Sequence, residues 1–153
     1  MKKISASLLL IAIIFSLCSC ESAEKENLAA FYNKITESRV LLDSVADDIY
    51  SNWYDAVYKD SFNDDIDIAI AFAQLAHSDD IEAIKSLDSE ISTLFKELKD
   101  TKNSELIKEV MSSYSAYYEL VINVSGSFRN FSDNKEPMKK ELAGLLKELS
   151  YEL

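Results

Sequence analysis

Glycine and proline are nearly missing from this chain, which holds two glycines, Gly126 and Gly144, and one proline, Pro137, in 153 residues. So few residues able to take left-handed backbone or to preset a turn leave little room for tight hairpins and favour long helices. No segment alternates apolar and polar residues as a half-buried strand would. Two glycines also exclude a Gly-rich loop that could cradle a phosphate. Histidine occurs once, at His77, so no His-rich metal site and no nucleophile–histidine pair beyond that single residue can be assembled. Cysteine occurs twice, at Cys18 and Cys20, both at the end of an apolar N-terminal run. The rest of the chain therefore has no disulfide, no thiol nucleophile and no thiolate ligand, and must hold together by packing. Positive charge is scarce: 16 Lys and Arg face 27 Asp and Glu, a formal net charge of -11. That balance excludes the basic surface nucleic acid requires, and it disfavours a domain lying flat on anionic lipid.

What is present begins with residues 1–20. Lys2 and Lys3 form a positive start, residues 8–15 (LLLIAIIF) form an apolar stretch, and Leu17-Cys18-Ser19-Cys20 closes it. The apolar run is shorter than the ~20 residues that span a membrane, and no A-x-A-like cleavage site stands after it. The segment resembles a bacterial lipoprotein signal with its lipobox, in which a Leu lies three residues before the Cys and a small residue lies just before it. The resemblance implies a diacylglyceryl group on the Cys20 thiol and cleavage between Ser19 and Cys20. The new N-terminus is commonly acylated as well, a palmitate-type modification. Residues 1–19 are then the signal peptide, residues 20–26 a short polar tether, and residues 27–153 one helical domain. The signal carries two lysines and no acid, so 14 basic and 27 acidic residues remain and the formal charge becomes -13. The implied location is the extracytoplasmic side of the cell membrane, or the outer membrane in a host that has one.

From residue 28 onward the helical period is plain. Leu28, Tyr32, Ile35, Leu42, Ala46, Ile49, Trp53 and Ala56 recur at three- and four-residue steps, one stripe of a helix ~50 Å long. Arg39 interrupts the stripe, its stem able to lie along the core edge. Asp60-Ser61 breaks the pattern, and Asn63, Asp64 and Asp65 supply a cap and first-turn acids for a second helix. Its face is Ile66, Ile70, Ala73, Ile84, Leu87, Ile91, Leu94 and Leu98, with a break or kink expected at Ser78. A third helix follows through Leu106, Val110, Tyr114, Tyr117, Val121 and Val124, weakened near Gly126. Residues 133–136 read as a turn, with Pro137 opening a last short helix through Met138, Leu142, Leu145 and Leu149. The expectation is an all-α fold: an antiparallel up-down bundle of three long helices plus a short C-terminal one.

Three segments carry a second resemblance: residues 49–58 (IYSNWYDAVY), 62–66 (FNDDI) and 120–128 (LVINVSGSF). By these the domain resembles uncharacterised small helical lipoproteins and exported proteins of low-GC bacteria. Members often show N-P-S-G-S at the last place, where Val124 here stands instead of the proline. The resemblance implies a helical bundle and transfers no catalytic or binding residue.

No catalytic residue is assigned, and no enzyme activity, metal or cofactor is expected. His77 falls on the second helix's apolar stripe, where a hydrogen-bonded histidine at a helix break outweighs a proton relay. The acid clusters Asp47-Asp48, Asp64-Asp65-Asp67 and Asp79-Asp80 lack the glycine turn and distant bidentate Glu of a calcium loop, and first-turn acids are what helix dipoles favour. The specific feature is aromatic. Tyr50, Tyr54 and Tyr58 form a four-residue ridge beside Trp53, and if the third helix runs antiparallel to the first, its tyrosine cluster with Tyr117 approaches them. These residues either fill the core with hydroxyls at its rim or present a contact patch. The functional expectation is a membrane-anchored, non-catalytic interaction module for another envelope protein. The alternative is a small-ligand binder with an aromatic-lined pocket.

Overall fold

The computed structural model describes the backbone of residues 4–153 and side-chain surroundings from residue 22 onward. The lipidation expected at Cys20 lies outside the described side chains. The described chain is all-helical. It comprises α1 (Ile4–Tyr58), a 3-10 turn (Ser61–Asp64), α2 (Ile66–Ala76), α3 (Ser78–Leu98), α4 (Ser104–Ile122) and α5 (Phe128–Leu149). No described helix is long and apolar enough to cross a membrane.

The anticipated stripe organises the core. Leu28, Ile35, Leu42, Ala46, Ile49, Trp53 and Ala56 of α1 are all buried, joined by Phe31, Ser38 and Val45 on the neighbouring ridge. They meet Ile84, Leu87, Ile91 and Leu98 of α3, Ile107, Val110, Tyr114, Tyr117 and Val121 of α4, and Phe131, Leu142, Leu146 and Leu149 of α5. Polar contacts fix the helix directions. Asn27 reaches Glu97, Lys34 pairs with Glu90, and His77 meets Asp48, so α2 and α3 run antiparallel to α1. Ser38 meets Tyr114 and Asp43 meets Tyr117, so α4 runs parallel to α1. Lys135 pairs with Asp47 and Lys139 with Asp43, so α5 is antiparallel again.

The structure departs from the sequence reading in four places. The expected tether, residues 20–26, lies inside α1, so helix continues through it. The break in the second helix falls at His77 rather than Ser78: His77 ends α2, stands before α3, and leaves Ser78 as α3's first residue. The third helix stops at Ile122, ahead of Val124, and Gly126 sits in the following linker at φ +89°, a conformation L side chains resist. Finally, the C-terminal helix is not short. It begins at Phe128, where the Ser127 hydroxyl accepts from the Asn130 amide, and it carries Pro137 in its interior. Its inward face, Phe131, Lys135, Met138, Leu142 and Leu149, keeps helical steps across the proline. A lysine stem fills one position of that stripe, which is why the stripe is hard to see in the sequence.

Candidate functional site

At the C-terminal end of α1 the chain turns through left-handed backbone without glycine. Asp60, Phe62, Asn63 and Asp64 take φ of 53°, 59°, 52° and 60°. Asn and Asp enter this region more readily than other L residues, and the ring of Phe62 packs 5.7 Å from that of Phe72. The Asp65 carboxylate then accepts from the Ile68 amide and starts α2.

Around this corner lies the aromatic ridge. The rings of Tyr50 and Tyr54 are 6.2 Å apart and those of Tyr54 and Tyr58 are 4.8 Å apart. Phe128, the first residue of α5, sits among them, 5.3 Å from Tyr50, 5.8 Å from Trp53, 6.1 Å from Tyr54 and 5.9 Å from Tyr58. The sequence reading placed Phe128 only in a segment of resemblance. Its place at the hub depends on the linker after α4, which no periodicity records. Lys135 completes the inner end of the ridge, nearly buried, with Nζ 4.8 Å from the Tyr50 ring centroid and paired to Asp47.

The five expected contact residues divide by accessibility. Trp53 and Tyr117 are buried, Tyr50 is half-buried, and Tyr54 and Tyr58 open to solvent, Tyr58 by 62 %. Tyr117 is far from the ridge in role as well as access. Its hydroxyl donates to Asp43 at 2.8 Å inside the α1–α4 seam. Burial pushes the Tyr117 and Tyr114 phenols well above their ordinary value, so both stay protonated. The Trp53 indole N–H is buried with no hydrogen-bond partner. Beside Trp53 and Phe128 a groove of about 680 Å³ opens, bordered by Asn63, Asp64, Asp65 and Asp67.

The lone histidine is a strut. His77 Nδ1 lies 2.7 Å from Asp80 and Nε2 lies 2.8 Å from Asp48. A neutral imidazole has one N–H, so only the protonated ring can donate to both carboxylates. Hydrogen bonds to Asp80, then to Asp48, accordingly raise its pKa above the ordinary histidine value. Elsewhere Asp88 is raised by burial and by the charge of Glu119. Among the described residues no group of three or more His, Cys, Asp or Glu side chains converges to hold a metal ion.

A further surface, unremarked in the sequence, is α2 itself. Ala69 and Ala73 face the core, but Ile66, Ile68, Phe72 and Leu75 are exposed, the last two by 58 % and 73 %. Helical spacing identifies one apolar stripe on this segment, whereas the helix is apolar on nearly every side. Compared with known proteins, the chain matches no family model, no curated protein and no solved structure.

Proposed function

We propose that this chain is a bacterial lipoprotein, held to the extracytoplasmic face of its membrane by lipid on Cys20. In this reading its helical domain is a non-catalytic interaction module of the cell envelope. The alternating helix directions fit an up-down bundle, α1 and α4 one way, α2–α3 and α5 the other. The observation that carries the reading is the solvent-facing end of the α1 ridge, where Tyr54, Val57 and Tyr58 are exposed. Exposed aromatics clustered with aliphatics are what contact surfaces use.

Two experiments test it. Cells fed labelled palmitate should label the wild-type chain, and Cys20→Ala should abolish the label. Affinity capture from crosslinked intact cells should recover one stoichiometric envelope protein, lost when Tyr54 and Tyr58 are both changed to alanine in a still-folded chain. Unlabelled wild type would refute the anchor, and capture equal to the Cys20→Ala control would refute the module.

The groove at Trp53 and Phe128 supports a second reading, a small-ligand binder. Its volume of about 680 Å³ falls within the range of ligand pockets, and Trp53 is the one tryptophan, so its fluorescence would report occupancy.

A further inference from the structure

We infer that the outer face of α2 and the adjoining cleft against α4 form a docking site for a partner protein's amphipathic helix, one whose apolar stripe is bordered by lysine and arginine. This deepens the interaction-module reading and rests on it.

The apolar part is a ridge and a cleft side by side. Ile68, Phe72 and Leu75 stand at i, i+4 and i+7 on α2, one exposed line along the helix. Leu75 is also the near wall of a cleft of about 550 Å³, whose other walls include Ile81, Tyr118 and Ile122. Only a long hydrogen bond, from Gln74 Nε2 to the Ile122 carbonyl at 3.4 Å, ties α2 to the end of α4 there. A ridge beside a helix-lined trough is the shape that accepts another helix's apolar face.

Charge selects the occupant. Glu82 lines the cleft and Glu119 bonds Asn123 there; Asp67 and Asp79 adjoin Ile68 and Ser78 in the chain, and Asp60 and Asp64 stand two residues either side of Phe62, whose ring packs on Phe72. Against them stand Lys85 and Lys59, and Lys59 is already paired to Asp55. A second copy would bring acid against acid, and like charges across an interface are costly. Anionic lipid is repelled for the same reason. The ridge also lies beside the stretch of α1 around Asp48, about 40 Å along the helix from position 20. A basic-bordered helix meets both the apolar ridge and the acidic border.

The test uses the full chain carrying Cys20→Ala, with labelled helical peptides of about 16 residues as probes. One peptide has a leucine face flanked by lysine, a second replaces lysine by glutamate, and a third replaces leucine by serine. The Leu/Lys peptide should bind, and the other two should not. Phe72→Ser with Leu75→Ser changes no charge, and Leu75→Ser alone leaves the Phe62–Phe72 contact at the α1–α2 corner intact. Those changes should keep the helical circular dichroism and weaken Leu/Lys binding by about tenfold or more. No binding of the Leu/Lys peptide, or binding indifferent to Phe72 and Leu75, overturns the inference. Self-association in sedimentation that the two substitutions abolish would make the occupant a second copy. Binding to phosphatidylglycerol vesicles that they abolish would make it a membrane. A partner captured through Tyr54 and Tyr58 but indifferent to Phe72 and Leu75 would defeat this inference alone and leave the interaction module standing.

Discussion

Changing His77 to glutamine should cost stability at acidic pH and little at alkaline pH. The ring is mostly buried at the α2–α3 joint, and its two nitrogens face Asp80 and Asp48 at 2.7 and 2.8 Å. Charge-assisted hydrogen bonds contribute about 1.5–3 kcal/mol each when sheltered. Here the Asp48 and Asp80 side chains are 56 % and 39 % exposed, and solvent screening brings each contact nearer to about 0.5–1 kcal/mol. Together they should supply about 1–2 kcal/mol, or about 4–8 °C in Tm for a domain of this size. The sign follows from linkage. The folded-state pKa of His77 is raised, so its stabilisation is complete below the unfolded value of about 6.5 and disappears as pH rises through the higher folded value. Low pH also relieves the self-repulsion of an acidic chain, so the quantity to measure is the difference between wild type and His77→Gln. Urea unfolding of both proteins at about pH 5.5 and about pH 9 brackets the window of the histidine. A gap of equal size at the two pH values would refute the reasoning, since it would mean that the neutral ring packs as well as the charged one.

Three further outcomes follow from the same geometry. The two glycines should respond oppositely to alanine in thermal unfolding. Gly126→Ala, at φ +89° but with no atom nearer than 3.7 Å to the new Cβ, should lose about 1–2 kcal/mol from backbone strain alone, while Gly144→Ala, mid-helix in open space, should gain about 0.5–1 kcal/mol. Pro137→Ala in α5 restores an amide donor to the helix ladder and should stabilise by up to about 3 kcal/mol, read from the urea midpoint. Ser38→Ala or Tyr114→Phe should each cost about 1–3 kcal/mol, because each removes one partner of the buried 3.1 Å pair; the double variant should cost clearly less than the sum, as a double-mutant cycle would read.

Periodicity located most of the core. Seven of the eight α1 stripe residues are buried and Tyr32 packs at the edge, and Val110, Tyr114, Tyr117 and Val121 of α4 face inward as spaced. What escaped reading depends on tertiary context. Pro137 reads locally as a helix start, yet the helix runs through it because Ser127 caps the chain ten residues earlier and Phe131 and Lys135 anchor the intervening turns. Lys135 is invisible to a hydrophobic count because its value lies in a stem against Tyr50 and a charge on Asp47. The aromatic ridge was legible as three tyrosines four apart. That Phe128 would join it was not, since the left-handed corner and the Gly126 linker set which helix end meets it. The outer face of α2 was missed for the opposite reason: every residue there looks like core, and only the fold determines which side the core takes.

The unbroken course of α1 from Ile4 to Tyr58 has a mechanical consequence. A disordered tether would let a domain sweep a hemisphere and meet partners at any height. A helix that continues from the proposed lipid site into the core acts as a stiff mast, about 57 Å from position 20 to Tyr58 at 1.5 Å per residue. The aromatic tip and the α2 ridge would then travel in a thin layer at nearly constant altitude above the bilayer. Under the proposed anchoring, encounters would become two-dimensional, and a partner would be selected by how far its own contact segment stands off the membrane as well as by its chemistry. Inserting three or four residues near position 24 should therefore change the height of that layer without touching the bundle, and so separate reach from recognition.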